Sequence, residues 1–166
     1  MRGGYTPGKE NAMPKQVMNR KASDNPYLHR DFHGALSCGI EYLHTRYGEE
    51  AVRKYLREFA GAFYAPLRQR MKTDGLAAIR EHYEQIFREE EGKVQFKGSD
   101  TSLTITVKAC PAITHMRKRG LPVARMYCET TRVMNEVMCE GSSFEAQLCN
   151  CDPERGTCEQ RFRRKT

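Results

Sequence analysis

Residues 89–108 read E-E-E-G-K-V-Q-F-K-G-S-D-T-S-L-T-I-T-V-K, and within these twenty positions the apolar period changes from helical to alternating. Glu89-Glu90-Glu91-Gly92 ends a helical pattern. Val94 and Phe96 then share one face, Gly98-Ser99-Asp100 turns the chain, and Leu103, Ile105 and Val107 alternate with Thr104, Thr106 and Lys108. This is a hairpin with one wet face. Upstream, Leu28, Phe32, Ala35, Leu36, Ile40, Leu43 and Tyr47 recur at helical spacing from an entry at Asp24-Asn25-Pro26 to Gly48. A second helix is expected from Glu49 through Val52, Tyr55, Leu56, Phe59, Ala60 and Phe63 until Pro66, and a third from Thr73 and Asp74 through Leu76, Ile79, Tyr83, Ile86 and Phe87.

Downstream, a short helix is expected over residues 111–119, stopped by Gly120-Leu121-Pro122, and a longer one from there to about Glu140. A second hairpin closes the pattern. Its strands are Phe144 to Leu148 and Cys158 to Arg163, and Asp152-Pro153-Glu154-Arg155-Gly156 supplies the turn. The expected fold is therefore α+β, with N-terminal helices packed on an antiparallel sheet of about four strands built from two hairpins separated by a helical pair. Residues 25–166 are expected to form one domain. Residues 1–24, rich in Gly and Pro and poor in large apolar side chains, are expected to be a disordered basic tail.

The chain has 166 residues and a net charge of +7, of which +3 lies in residues 1–24 and +4 in Arg161, Arg163, Arg164 and Lys165, so the body between is neutral. That distribution argues against a nucleic-acid face, which would place a basic stripe on the folded body. Residues 1–24 hold no apolar stretch of the kind a secretory leader needs, and no apolar run is long enough to span a bilayer, so a cytoplasmic protein without a membrane partner is expected. Seven cysteines in a reducing compartment are read first as free thiols, with metal binding or catalysis as the exceptions.

Three of them crowd residues 149–158, C-N-C-D-P-E-R-G-T-C, a stretch that can be a metal knuckle, a disulfide staple, a reactive site or a plain hairpin tip. As a knuckle it is short of ligands. C-x-C-x6-C offers three thiolates where a structural zinc site takes four, so a metal here would recruit Cys110 or Cys128. As a hairpin it turns on Pro153 and Gly156, directs Cys158 toward the interior, and leaves Cys149 and Cys151 dispensable.

The pattern V-K-A-C-P-A-I-T-H-M-R-K-R-G-L-P (residues 107–122), with Y-C-E-T-T-R-V-M-N-E (127–136), G-T-C-E-Q-R-F (156–162) and the upstream D-F-H-G-A-L (31–36) and Y-G-E-E-A (47–51), resembles the L-2-amino-thiazoline-4-carboxylic acid hydrolase-like family over roughly residues 27–163. The resemblance implies a small α+β domain, related in style to small-molecule-binding domains of the vinyl reductase type, and an activity that opens a cyclic C=N ring with water. It carries over Cys110, Cys128 and Cys158. Such a reaction needs an activated water or thiolate, a proton donor for the ring nitrogen and a cation for the carboxylate.

On the longer helix, Cys128, Arg132 and Asn135 are spaced to share a face while Tyr127, Thr130, Met134 and Val137 point to the core. Cys110, His115, Cys128 and Glu129 are thus the candidate catalytic residues. His115 is the candidate base, and Arg132, Asn135, Cys158 and His33 are the candidate substrate contacts. Cys110, Cys128 and Cys158 are the candidate ligands of a thiolate-bound metal such as zinc, if a cofactor is used at all. Plainer roles stand beside these: Cys38 and Cys139 as core fillers, His29 and His33 as surface or capping groups, Arg132 as a partner of Glu129 or Glu136, and Met126, Met134 and Met138 as core or pocket lining. The expected partner is a small molecule, handled by a hydrolase or held by a non-enzymatic binding module, with self-association left open.

Overall fold

The computed structural model describes residues 30–166. The expected tail, the helix entry at Asp24-Asn25-Pro26, and Leu28 and His29 lie outside the described residues. Helix α1 (Phe32–Phe63) changes direction at Gly48, whose φ of 81° and ψ of −179° are non-helical. The two helices expected on either side of that glycine therefore meet there without a loop. Helix α2 (Ala65–Asp74) starts where Pro66 was expected only to interrupt. Proline is tolerated in a first helical turn because its missing N–H would have had no partner there, so Pro66 opens a helix. Gly75, at φ 57°, joins α2 to α3 (Leu76–Glu89).

Strands β1 (Lys93–Gly98) and β2 (Ser102–Ala109) form the first hairpin, α4 (Pro111–Lys118) and α5 (Cys128–Cys139) the helical pair, and β3 (Phe144–Asp152) and β4 (Thr157–Arg164) the second hairpin. The four strands make one antiparallel sheet in the order β1-β2-β4-β3. The α+β architecture read from the sequence is the one observed.

Pairing sets the sheet's two faces. Leu103 lies opposite Phe162, Ile105 opposite Gln160 and Val107 opposite Cys158, so Cys158, Gln160 and Phe162 share the inner face with the apolar residues of β2. Two apolar clusters result. One joins α1, α4 and α5 through Ile40, Val52, Leu56, Met116 and Val137, and the other joins α2, α3, α5 and the sheet through Met71, Ile79, Met138, Ile105 and Phe162. Burying each of these large side chains contributes about 1.5–3 kcal/mol. Tyr64, Cys110 and Met134 pack against both clusters and so mark their junction. No helix among the described residues is long and apolar enough to cross a membrane.

Candidate functional site

Polar groups gather at that junction, and two short chains of side chains lead into it. The first begins on α1, where Gly34 lets Leu121 approach so closely that a Cβ there would lie 2.6 Å from Leu121 Cδ1. His33, beside it, sets Nε2 2.9 Å from Glu90 Oε2 and Nδ1 3.4 Å from the Tyr127 hydroxyl. With the Tyr127 hydroxyl donating to Nδ1 and Nε2–H donating to Glu90, one imidazole tautomer satisfies both contacts. The Glu90 side chain is only 8% exposed. The chain reverses just after it, with Glu91 at φ 60° and Gly92 where a Cβ would lie 2.5 Å from Phe87 Cδ1. Arg30 ties this turn down by donating to the Glu89 carbonyl at 3.0 Å and the Glu91 carboxylate at 3.2 Å.

The second chain runs from α3 through α5 to β4. The Tyr83 hydroxyl donates to Asn135 Oδ1, Asn135 Nδ2 donates to Gln160 Oε1 at 2.8 Å, and Gln160 Nε2 lies 3.8 Å from Cys158 Sγ. Asn135 and Gln160 are 1% and 3% exposed, so each needs the other as a partner.

Cys110 connects the two chains electrostatically. It precedes α4 as its cap residue, and its thiol is raised by burial, opposed by the Ile113 and Ala112 N–H groups and reinforced by the nearby Glu90 charge. Burial also pushes the Cys158 thiol up to about 11, against the Gln160 amide and with a further push from Cys110. Burial, then Glu90, raises the Tyr64 hydroxyl to about 12. Burial first, then Cys110 and Glu90, raises the Tyr127 hydroxyl as well. Both thiols are thus neutral near pH 7.

Four of the expected site residues, His33, Cys110, Asn135 and Cys158, come together here. The others do not. Cys128 is joined to Cys151 in a disulfide, so while that bond stands it is neither a free nucleophile nor a metal ligand, and Cys151 has a partner the sequence did not suggest. The expected metal trio of Cys110, Cys128 and Cys158 is not assembled, and no group of three metal-ligating side chains occurs among the described residues. Two thiols remain, too few for the tetrahedral zinc site that was expected.

Arg132 is 51% exposed and pairs with Glu129 at 3.0 Å, while Glu129 also accepts from Arg53 Nε at 3.1 Å. Both belong to the strip of α5 that faces solvent and α1. At about 100° per residue Arg132 and Asn135 differ by roughly 60° around the helix, which is enough to put one in water and the other in the core. His115 points away from the core-facing Ala112, Ile113 and Met116, and its Nε2 lies 2.9 Å from Asp31 Oδ1. Of the plainer roles, Cys139 and Met138 are buried as expected, whereas Cys38 is exposed.

Sequence reasoning missed Glu90, Tyr127 as a polar contact, Gln160, Tyr83 and Tyr64. Two signals were available. Gln160 shares the alternation of Cys158 and Phe162, and three acids at the C-terminal end of α3 oppose the helix dipole. The thiol-rich hairpin also escapes simple alternation. The β3–β4 register shifts between Cys149 and Asp152, with Asn150 at φ 47°, so one extra residue re-aims Cys151 toward α5 while Cys149 stays opposite Glu159.

Two open depressions, of about 570 and 910 Å³, lie elsewhere, one along β1 and α3 and the other between α1 and residues 122–125. Neither is lined by His33, Glu90, Cys110, Tyr127 or Cys158. No protein-family model matches the chain, and no curated protein matches it.

Proposed function

We propose that this chain is an L-2-amino-thiazoline-4-carboxylic acid hydrolase-like protein that opens a small cyclic C=N heterocycle with water, using the His33–Glu90 pair. The observation that carries the reading is the buried Glu90 carboxylate at 2.9 Å from His33, beside two neutral thiols. In the reaction, water oxygen bonds to the C=N carbon as the pair takes up a proton and delivers it to the ring nitrogen. Collapse of the adduct breaks the ring C–N bond. The remaining hydroxyl proton reaches the same nitrogen, and a carbonyl is left on carbon. Arg30, which bonds the residues on either side of Glu90, replaces Arg132 as the group that receives a substrate carboxylate. The reading includes a cytoplasmic location and a small-molecule partner.

Burial of both thiols in neutral form also favours a second reading, a module that holds such a heterocycle without turning it over. One experiment separates them. Incubation with 2-amino-thiazoline-4-carboxylate should yield ring-opened product, and Glu90→Gln should slow it by about 100-fold or more while calorimetric binding persists. Binding without product from the wild type would select the module. Neither binding nor product would remove both readings.

A further inference from the structure

The tip of the second hairpin lies directly against Cys110. The Cys110 N–H donates to the Gly156 carbonyl at 2.8 Å, and a Cβ on Gly156 would come within 3.5 Å of Ile113 Cγ2 and 3.7 Å of Cys110 N. Arg117 reaches from α4 to the same tip, donating to the Pro153 carbonyl at 2.9 Å and also to the Glu154 carbonyl. The third tie is covalent. The Cys128–Cys151 disulfide links the tip to the start of α5, one residue after Tyr127, which contacts His33. The tip is therefore fastened to both helices that border the cluster, and Cys158 lies just beyond it on β4.

From this arrangement we infer that the Cys128–Cys151 disulfide is a redox latch: oxidised, it holds the tip closed over Cys110 and Cys158, and reduced, it lets the tip lift and opens the cluster to a ligand. The inference rests on the reading of this cluster as the functional site and assigns its regulation. The neutral backbone contact and the solvent-exposed arginine are weak ties beside a covalent bond. A disulfide in a compartment rich in thiols is commonly a transient, sensing bond. The reductant is a small dithiol. One of its thiolates bonds to one cysteine sulfur and releases the other cysteine as thiolate. Its second thiolate then attacks the dithiol sulfur of that mixed disulfide, breaking the mixed bond and releasing the remaining cysteine as thiolate. The dithiol leaves as its cyclic disulfide, and both protein sulfurs take up protons.

The test is native alkylation of the full chain with iodoacetamide, followed cysteine by cysteine by peptide mass spectrometry, on protein that is oxidised or pre-reduced with dithiothreitol. Cys38, already exposed, and Cys139, buried in the sheet-side core, are the internal controls. Reduction should speed labelling of Cys110 and Cys158 by about tenfold or more and leave both controls unchanged. The Cys128→Ser, Cys151→Ser double variant should behave as reduced protein without any reductant. Unchanged rates at Cys110 and Cys158 would overturn the latch, as would absence of a Cys128–Cys151 linked peptide in oxidised protein. Parallel exposure of Cys139 would also overturn it, because the bond would then be a staple for the whole fold. Latching without thiazoline turnover or binding removes the hydrolase and module readings alone, whereas turnover with no latching removes this inference alone.

Discussion

The two hairpins share one sheet and differ in how their ends are held. The β1–β2 hairpin is held mostly by local contacts: Ser99 N–H donates to the Ser102 carbonyl at 2.7 Å, Ser99, Thr101 and Ser102 hydroxyls surround the turn, and one backbone bond from β4, Arg164 N–H to the Thr101 carbonyl at 3.0 Å, joins them. Its inner face is apolar throughout, with Val94, Phe96, Leu103, Ile105 and Val107. The β3–β4 hairpin carries a bulge, a disulfide, an arginine clamp and two polar residues on its inner face, Cys158 and Gln160. A hairpin with an apolar inner face and a mostly local turn needs no distant polar partner for its side chains. One that carries polar groups into the core must find each of them a distant partner.

The largest expected consequence of that contrast lies in the polar chain. Asn135→Ala leaves Tyr83 and Gln160 buried without their partner and should cost about 2–4 kcal/mol in denaturant unfolding. On the first hairpin, Ile105→Val removes one methyl group and should cost about 1 kcal/mol. If the two variants were equally mild, the polar chain would be ornamental and the hairpins equivalent.

An intermediate effect is expected in alkali. Cys158 is raised to about 11 in the fold from an unfolded value near 9, chiefly by burial. Between these values the unfolded chain releases the proton and the native one keeps it, so stability present below pH 9 declines as pH rises toward 11. The contribution is on the order of 2 kcal/mol. Cys158→Ala should flatten that decline relative to wild type in melts from pH 8 to 11, and Val107→Ala, across the strand pair on β2, should leave its slope alone. Equal slopes in all three proteins would place Cys158 in water.

The smallest effect concerns the tips. Gly156→Ala forces a side chain onto a backbone at φ 65° and should cost about 1 kcal/mol. Its added Cβ meets only ordinary contacts at Ile113 and Cys110. Ser99→Ala, in the other tip, breaks only exposed hydroxyl contacts and should stay within about 0.5 kcal/mol. A thermal melt of each variant decides whether the second tip is the more constrained.

The α+β order, the faces of β1 and β2 and the ends of α3, α4 and α5 were legible in the chain because apolar periodicity and Gly or Pro punctuation are local properties. By contrast, α2 was missed, Thr73 and Asp74 fall inside it instead of capping α3, and α5 starts at Cys128 and not directly after Pro122. The inward direction of Cys158 followed from its place on the returning strand, and the break in α1 followed from Gly48. What periodicity could not supply was the pairing of groups far apart in sequence. His33 meets Glu90 across 57 residues and Asn135 meets Gln160 across 25. Helical spacing placed Arg132 beside Asn135, but the width of the solvent-facing strip of α5 is set by the elements packed around it, and that width sent Arg132 outward. The three neighbouring cysteines show the same division. Turn chemistry alone determined that residues 149–158 form a hairpin, whereas only the tertiary structure decided that the bulge at Asn150 sends Cys151 to Cys128, keeps Cys149 opposite Glu159 and leaves Cys158 half-buried on the sheet's inner face, because a single extra residue in a strand reverses which face the next side chain takes.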